Sequence, residues 1–261
     1  MALNKIFRPC FVSDLIRIGN KSDGGYIISK KILNIAENVI TFGLFDEFSF
    51  EKNIKKIKKK IKIICFDHSV TRFFWLMHFS KWIFLSIRFR SFNLFKRAFT
   101  FIDYYQFFSK KAKHYKFKIV SEIKSKEKNE ISLSEIINNK KIDTKKSILK
   151  IDIDLDEYKI LSDILKYEFL SIIIEFSYAN FNMKKIINFI KKNKNMKIIH
   201  IHGNNFHPAN KFNNPAYLEI TFANIKILKL SKKKSNKTYP IKGLDFPCNP
   251  RKNDVPIFFK K

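Results

Sequence analysis

A chain of 261 residues with 45% hydrophobic content can bury one substantial core, which excludes a disordered chain and predicts one domain over residues 1–261 with room for an insertion. The formal charge of +29 calls for an anionic surface or ligand nearby, yet only seven of the 52 basic residues are Arg. Lysine is the poorer choice for bidentate phosphate or base recognition, and Lys, Ile, Asn and Phe share A/T-rich codons, so nucleic acid is not the expected partner.

Cys10, Cys65 and Cys248 are widely spaced with no CxxC pair, which excludes a disulfide scaffold or cysteine zinc cluster and fits a reducing cytoplasm. The first residues are broken by charges and Pro9, unlike a signal peptide, and no apolar run reaches the length of a membrane span.

The first chemical signal is Asp23-Gly24-Gly25, a turn that permits close backbone approach, followed by the short apolar run Tyr26–Ile28. Lys30 to Glu37 has helical spacing. Asn38 to Gly43 reads as a buried strand ending in glycine, and a loop holding Asp46 leads into a Lys-rich helix over 51–60. That order places backbone N–H groups beside a nucleotide-like ligand. Ile61 to Asp67 is a second apolar strand ending in an acid, 24 residues beyond Gly43. An acid about 20 residues past a first strand–helix turn is where nucleotide folds hold a ribose diol. Asp67 capping the next helix is the competing reading.

Residues 70–115 are dense in aromatics with Arg and Lys interleaved, more than one connection needs. They read as an insertion: core-packed amphipathic helices, a lid, or a membrane-surface contact through 73–98. Lys116 to Val120 is the expected third strand, Glu122 to Glu130 a charged mobile loop, and Ile131 to Ile137 a short helix capped by Ser132 or Ser134.

The stretch Ser147 to Leu161 organises the rest. Its apolar run ends in Asp152, Asp154, Asp156 and Glu157, then Tyr158, Leu161 and Leu165 fall at helical spacing. Leu170 to Phe176 is another acid-terminated strand, Lys184 to Lys192 an amphipathic helix, Lys197 to Asn205 a sixth strand and Pro215 to Phe222 a seventh. The Pro-punctuated tail, 240–261, reads as extended surface wrapping. Alternating strands and helices mean a mostly parallel sheet covered on both faces, with strand ends gathered at one edge. Gly43 and Asp46, Asp67, Asp152 and Asp154, Glu175, and His202 with Asn205 are therefore expected around one crevice.

The succession DGGY, FGLFDEFSFE, FDHS, ISLSEII, LKIDIDLDEYKIL, IIEF, HIHGNN and YLEITF resembles FkbM-type and related S-adenosylmethionine-dependent methyltransferases over nearly the whole chain outside 70–115. The family's central D-x-E-G-x-E is met at Asp152 and Glu157, with Asp154 for Glu and Leu155 for Gly. The resemblance implies a Rossmann-like class I methyltransferase fold, a seven-stranded sheet with an antiparallel last strand. It also implies S-adenosyl-L-methionine as cofactor and O-methylation of a sugar or other small hydroxyl, as in surface-polysaccharide modification.

On that reading Asp67 takes the ribose diol, and Gly43, Asp46, Asp23, Gly24 and Gly25 surround the rest of the cofactor. Asp152, Asp154 or His202 removes the acceptor proton, and Glu175, Asn204 and Asn205 orient the acceptor, a small molecule or glycan. No metal is expected. Two rival readings remain open: a DxD glycosyltransferase using Asp152 and Asp154 with a divalent ion, and a basic module for nucleic acid or membrane.

Overall fold

The computed structural model describes residues 2–122, 127–206 and 215–260. In chain order the strands are β1 (Leu15–Ile18), β2 (Tyr26–Ser29), β3 (Asn38–Phe42), β4 (Lys62–Phe66), β5 (Lys113–Tyr115), β6 (Lys118–Val120), β7 (Glu130–Ser132), β8 (Ser147–Ile151), β9 (Ser171–Phe176), β10 (Met196–Asn204) and β11 (Tyr217–Asn224). The helices are α1 (Lys30–Ile35), α2 (Ser49–Ile57), α3 (Arg72–Arg88), α4 (Phe92–Ala98), α5 (Thr100–Lys110), α6 (Leu133–Lys140), α7 (Glu157–Ile164), α8 (Ala179–Lys192) and α9 (Ile225–Leu228).

Among the described residues, seven strands form one sheet in the order β5-β4-β3-β8-β9-β11-β10. Every neighbouring pair is parallel except β11, which runs antiparallel to both β9 and β10. Read outward from β3, this is the strand order of the Rossmann-like class I methyltransferase fold, reversed last strand included. The run at β8 is continuous because both faces are covered: Leu149 and Ile151 join one apolar layer, Ile148 the other. The same alternation sends Ile172, Ile174 and Phe176 of β9 to one side and Ile173 to the other. Each such side chain removed from water stabilises the fold by roughly 1.5–3 kcal/mol.

Lys116 to Val120 does not supply the third strand of the sheet. That edge position is filled by β5, Lys113–Tyr115, while β6 pairs in parallel with β7 in a separate two-stranded ribbon. Helix α6 follows the expectation, with Ser132 as its cap and Glu135 closing a reciprocal capping box. Helix α8 begins at Ala179, earlier than its Lys184–Lys192 stripe suggested. The expected mobile loop at Glu122–Glu130 falls partly outside the described residues.

Residues 70–115 form α3, α4 and α5 between β4 and β5. Their inner side is anchored by buried Trp75, His78, Ala98, Tyr104 and Phe107. The tail crosses back over the chain: Leu3 N–H donates to the Phe258 carbonyl at 2.7 Å, and Lys260 N–H to the Leu3 carbonyl at 2.7 Å. No helix among the described residues is long and apolar enough to cross a membrane.

Candidate active site

The carboxyl ends of β3, β4, β8 and β9, with the end of β10 and the start of β11, open into a cleft of about 580 Å³. That size suits a small-molecule site. Eight of the chain's 23 acidic residues line it: Asp23, Asp46, Glu47, Asp67, Asp152, Asp154, Asp156 and Glu175, against the lysines Lys118 and Lys150. In a chain of charge +29, this one cleft is acidic.

Gly43 follows β3 with φ of +81°, and a Cβ there would stand 1.7 Å from the Asp152 carbonyl oxygen. Only glycine lets the β3 loop pass this close to the end of β8. Beyond it, the Asp67 carboxylate ties two strand ends together. One oxygen accepts from the N–H groups of Leu44 (2.8 Å) and Phe45 (3.0 Å), the other from the Ser69 N–H (2.8 Å) and hydroxyl (2.6 Å). Desolvation pushes Asp67 up, but these four bonds outweigh it and hold the carboxyl below its usual range, ionised at neutral pH.

At the end of β8 the Tyr26 hydroxyl donates to the Asp152 carboxylate at 3.1 Å. Asp152 is half-buried; desolvation raises its pKa, Lys150 opposes this, and the charge of Asp154 adds to it. Lys150 projects from the middle of the apolar run, under the Tyr26 ring at 5.1 Å from its centroid and 3.8 Å from Glu51. Burial alone would favour its neutral form, but Glu51 and Asp152 overcome this and raise its pKa.

Glu175 is buried, and the Asn204 amide donates to it at 3.3 Å. Desolvation, with Asp152, Glu219 and Asp23 nearby, lifts Glu175 well above the usual carboxylate range. Asp23 sits at the exposed mouth. The packing around it, with Glu219 and Asp152, pushes it up to about 7. Gly24, at φ +78°, would drive a Cβ to 2.3 Å from the Glu47 side chain, so the DGG turn rests on that residue.

The structure thus brings Gly43, Asp46, Asp67, Asp152, Asp154, Glu175, Asn204, Asp23 and Gly24 to one cleft. Three expected residues do not line it. Gly25 packs behind the turn, against the Asn20 carbonyl and the Arg17 side chain. The Asn205 amide donates to the carbonyls of Asn249, Lys252 and Asn253 and so clips the tail. His202 is not the proton acceptor that its strand position suggested. Its Nδ1 meets Glu219 at 2.9 Å and its Nε2 meets Asp254 at 2.9 Å. Burial would lower its pKa, but the two carboxylates outweigh that and push it up to about 10, leaving an imidazolium with no free nitrogen.

Asp46 reaches the cleft, where one carboxylate oxygen is engaged by both His78 (2.9 Å) and Arg97 (2.9 Å), so its charge is already partly matched by the Arg97 guanidinium. His202, Glu219 and Cys248 are close enough to hold a metal ion. Their hydrogen bonds already close the cluster, with the Cys248 thiol on Glu219 at 3.3 Å. Tyr26, Glu47 and Lys150 were not expected at the site. The signals were present: a tyrosine completing DGGY, and a lysine inside a strand buried on both faces.

No protein-family model matches the chain, and no curated protein matches it. Solved structures similar to it include precorrin-6y C5,15-methyltransferase from Geobacter metallireducens, at 7% identity over 74% of this chain and 85% of that one, TM-score 0.39. The Methanococcus jannaschii fibrillarin pre-rRNA processing protein shares 7% identity over 77% of this chain and 69% of its own, TM-score 0.36. M. jannaschii TYW2 in complex with AdoMet shares 8% over 82% and 90%, TM-score 0.35.

Proposed function

We propose that this protein is an S-adenosylmethionine-dependent methyltransferase of FkbM-like type. In this reading it O-methylates a sugar or other small hydroxyl acceptor, in keeping with surface-polysaccharide modification. The observation that carries the reading is the acidic cleft at the strand ends of a fold with this strand order, within a chain otherwise strongly basic.

The donor set fits the cofactor. A ribose diol needs an ionised carboxylate, and Asp67 is held ionised; it would exchange some of its bonds to the β3 loop for the two hydroxyls. An ammonium group and a sulfonium suit the negative potential of Asp152, Glu47 and Asp23. The tight passage of Gly43 leaves backbone, not side chain, along the cofactor's path. When bound, the cofactor supplies an activated methyl group.

The chain's own residues then position the acceptor and take its proton. Asp152 is the base: its raised pKa brings it closer to neutrality, where proton abstraction is effective, and Tyr26 fixes its orientation. Asp154 stands beside it at the cleft wall. Glu175 and Asn204 present a hydrogen-bonded pair to the acceptor, and Tyr217 and Phe206 add aromatic surface suited to a sugar ring.

A thermal-shift comparison tests this against the glycosyltransferase reading. S-adenosylhomocysteine in the presence of a chelator is expected to raise the melting temperature, and uridine diphosphate with Mn²⁺ to leave it unchanged. The opposite pattern overturns the proposal.

A further inference from the structure

The helical insertion carries a surface that the cleft does not explain. Helix α3 spans 17 residues, about 26 Å, and is apolar nearly all round. Its inner side packs through Trp75, His78 and Ser86, whereas Phe73, Met77, Phe84 and Ile87, spaced along the opposite side, face solvent. Phe84 is 66% exposed, Ile87 72%, Phe89 64% and Phe92 68%. Of the nineteen exposed large apolar side chains among the described residues, ten fall between Phe73 and Tyr105. A globular protein rarely leaves such a patch without a partner.

The charges on this segment point to the partner. Residues 72–111 hold eight cationic side chains and one acid, Asp103, which pairs with Lys52. Four of the chain's seven arginines are here. Arg97 lies over the Trp82 ring at 4.2 Å, Lys96 over Phe92 at 4.7 Å and Arg88 over Phe89 at 5.8 Å. The Arg97 head is also engaged by Asp46, but cationic heads seated on aromatic rings at an exposed apolar face, Arg88 and Lys96 among them, suit a lipid headgroup layer. Where α2 meets α5, a cavity of about 690 Å³ is lined by Lys52, Lys55, Lys56, Lys59 and Lys111. A second copy of the chain is a poor occupant, because pairing two such faces would bring like charges together.

We infer that α3 and α4 dock this protein onto an anionic lipid bilayer, inserting Phe84, Ile87, Phe89 and Phe92 at headgroup depth while Arg88, Arg90 and Lys96 contact phosphates. The docking does not depend on the reaction proposed above. The same helices touch the cleft wall, through Phe74 on Phe45 at 5.2 Å between ring centres and Arg97 on Asp46 at 2.9 Å, so the bilayer would lie beside the site.

Flotation of the full chain with vesicles tests the docking. Binding is expected to phosphatidylcholine vesicles containing phosphatidylglycerol, with much less to phosphatidylcholine alone. The triple variant Phe84→Ser/Ile87→Ser/Phe89→Ser, which replaces only exposed side chains and should keep its melting temperature, is expected to bind at least about tenfold more weakly. Arg88→Gln/Arg90→Gln/Lys96→Gln should bind weakly even at low salt. Three outcomes overturn the inference: no binding to either vesicle, binding unchanged in both variants, or a wild-type dimer that the triple variant converts to monomer. Binding to a homopolymeric RNA that the charge variant loses and the apolar variant keeps, with no vesicle binding, would overturn it in favour of nucleic acid.

Discussion

The backbone of Gly43 passes so near that of Asp152 that a single added methyl would stand 1.7 Å from the Asp152 carbonyl oxygen. This contact joins the loop after β3 to the end of β8, the two sides of the cleft. Gly43→Ala must move one of them and also holds alanine at φ +81°. The expected cost is about 2–4 kcal/mol of stability, with cofactor binding lost even where the variant folds. Chemical denaturation and ligand titration of the same preparation check both.

Asp152→Asn removes the proposed base and should lower the methyl-transfer rate at saturating cofactor by about 10²- to 10⁴-fold, and it should also weaken cofactor binding because the cleft loses one of its negative charges. Tyr26→Phe is the finer test. The Tyr26 hydroxyl donates to the ionised carboxylate and so favours it. Without that bond the Asp152 pKa rises further, and the acid limb of the pH–rate profile moves to higher pH. A limb that stays in place would remove Asp152 from the role of base.

His202 bridges Glu219 and Asp254 as an imidazolium with its pKa raised to about 10. A cation raised in the folded state contributes stability that is fully present below its unfolded value near 6.5, and that stability is lost as pH rises through about 10. His202→Gln leaves two carboxylates without their cation and is expected to cost about 3 kcal/mol at neutral pH. The gap between wild type and variant should narrow in urea titrations as the pH is raised toward 10. A constant gap would contradict the ion triad.

Leu155 occupies φ +74°, and Asp154 before it φ +38°, in the turn from β8 into α7. A leucine held there is strained, and its side chain is 46% exposed and joins neither apolar layer, so little packing offsets the strain. Leu155→Gly should leave stability unchanged or raise it by up to about 1 kcal/mol, because relief of strain outweighs the added freedom of the unfolded chain. A loss of more than that would mean that the Leu155 side chain makes a contact of its own.

Much of this arrangement was legible in the residues because the strands are continuous apolar runs that stop at acids or glycine. Such runs have few other places to go than the middle of a covered parallel sheet. Asp67, Asp152 and Glu175 could be placed at one edge from that argument alone. The edge strand Lys113–Tyr115 could not, because Lys-His-Tyr has no apolar signature and its pairing with β4 is set by tertiary contacts.

His202 went astray for a related reason. It stands in a cross-strand row with Glu219 and Glu175, as strand alternation suggests, but the tail brings Cys248 and Asp254 over it. Where a Pro-punctuated tail will lie is not written in its local pattern. The engagement of Asp46 by His78 and Arg97 likewise depends on how the insertion folds back.

Calorimetric titration of the wild-type chain and of Asp67→Ala with S-adenosylmethionine tests the central claim most directly. One site per chain is expected in the wild type, weakened at least tenfold in the variant, which loses a charged hydrogen-bonding partner for the ribose. No heat of binding in the wild type, or equal affinity in both proteins, would contradict the account.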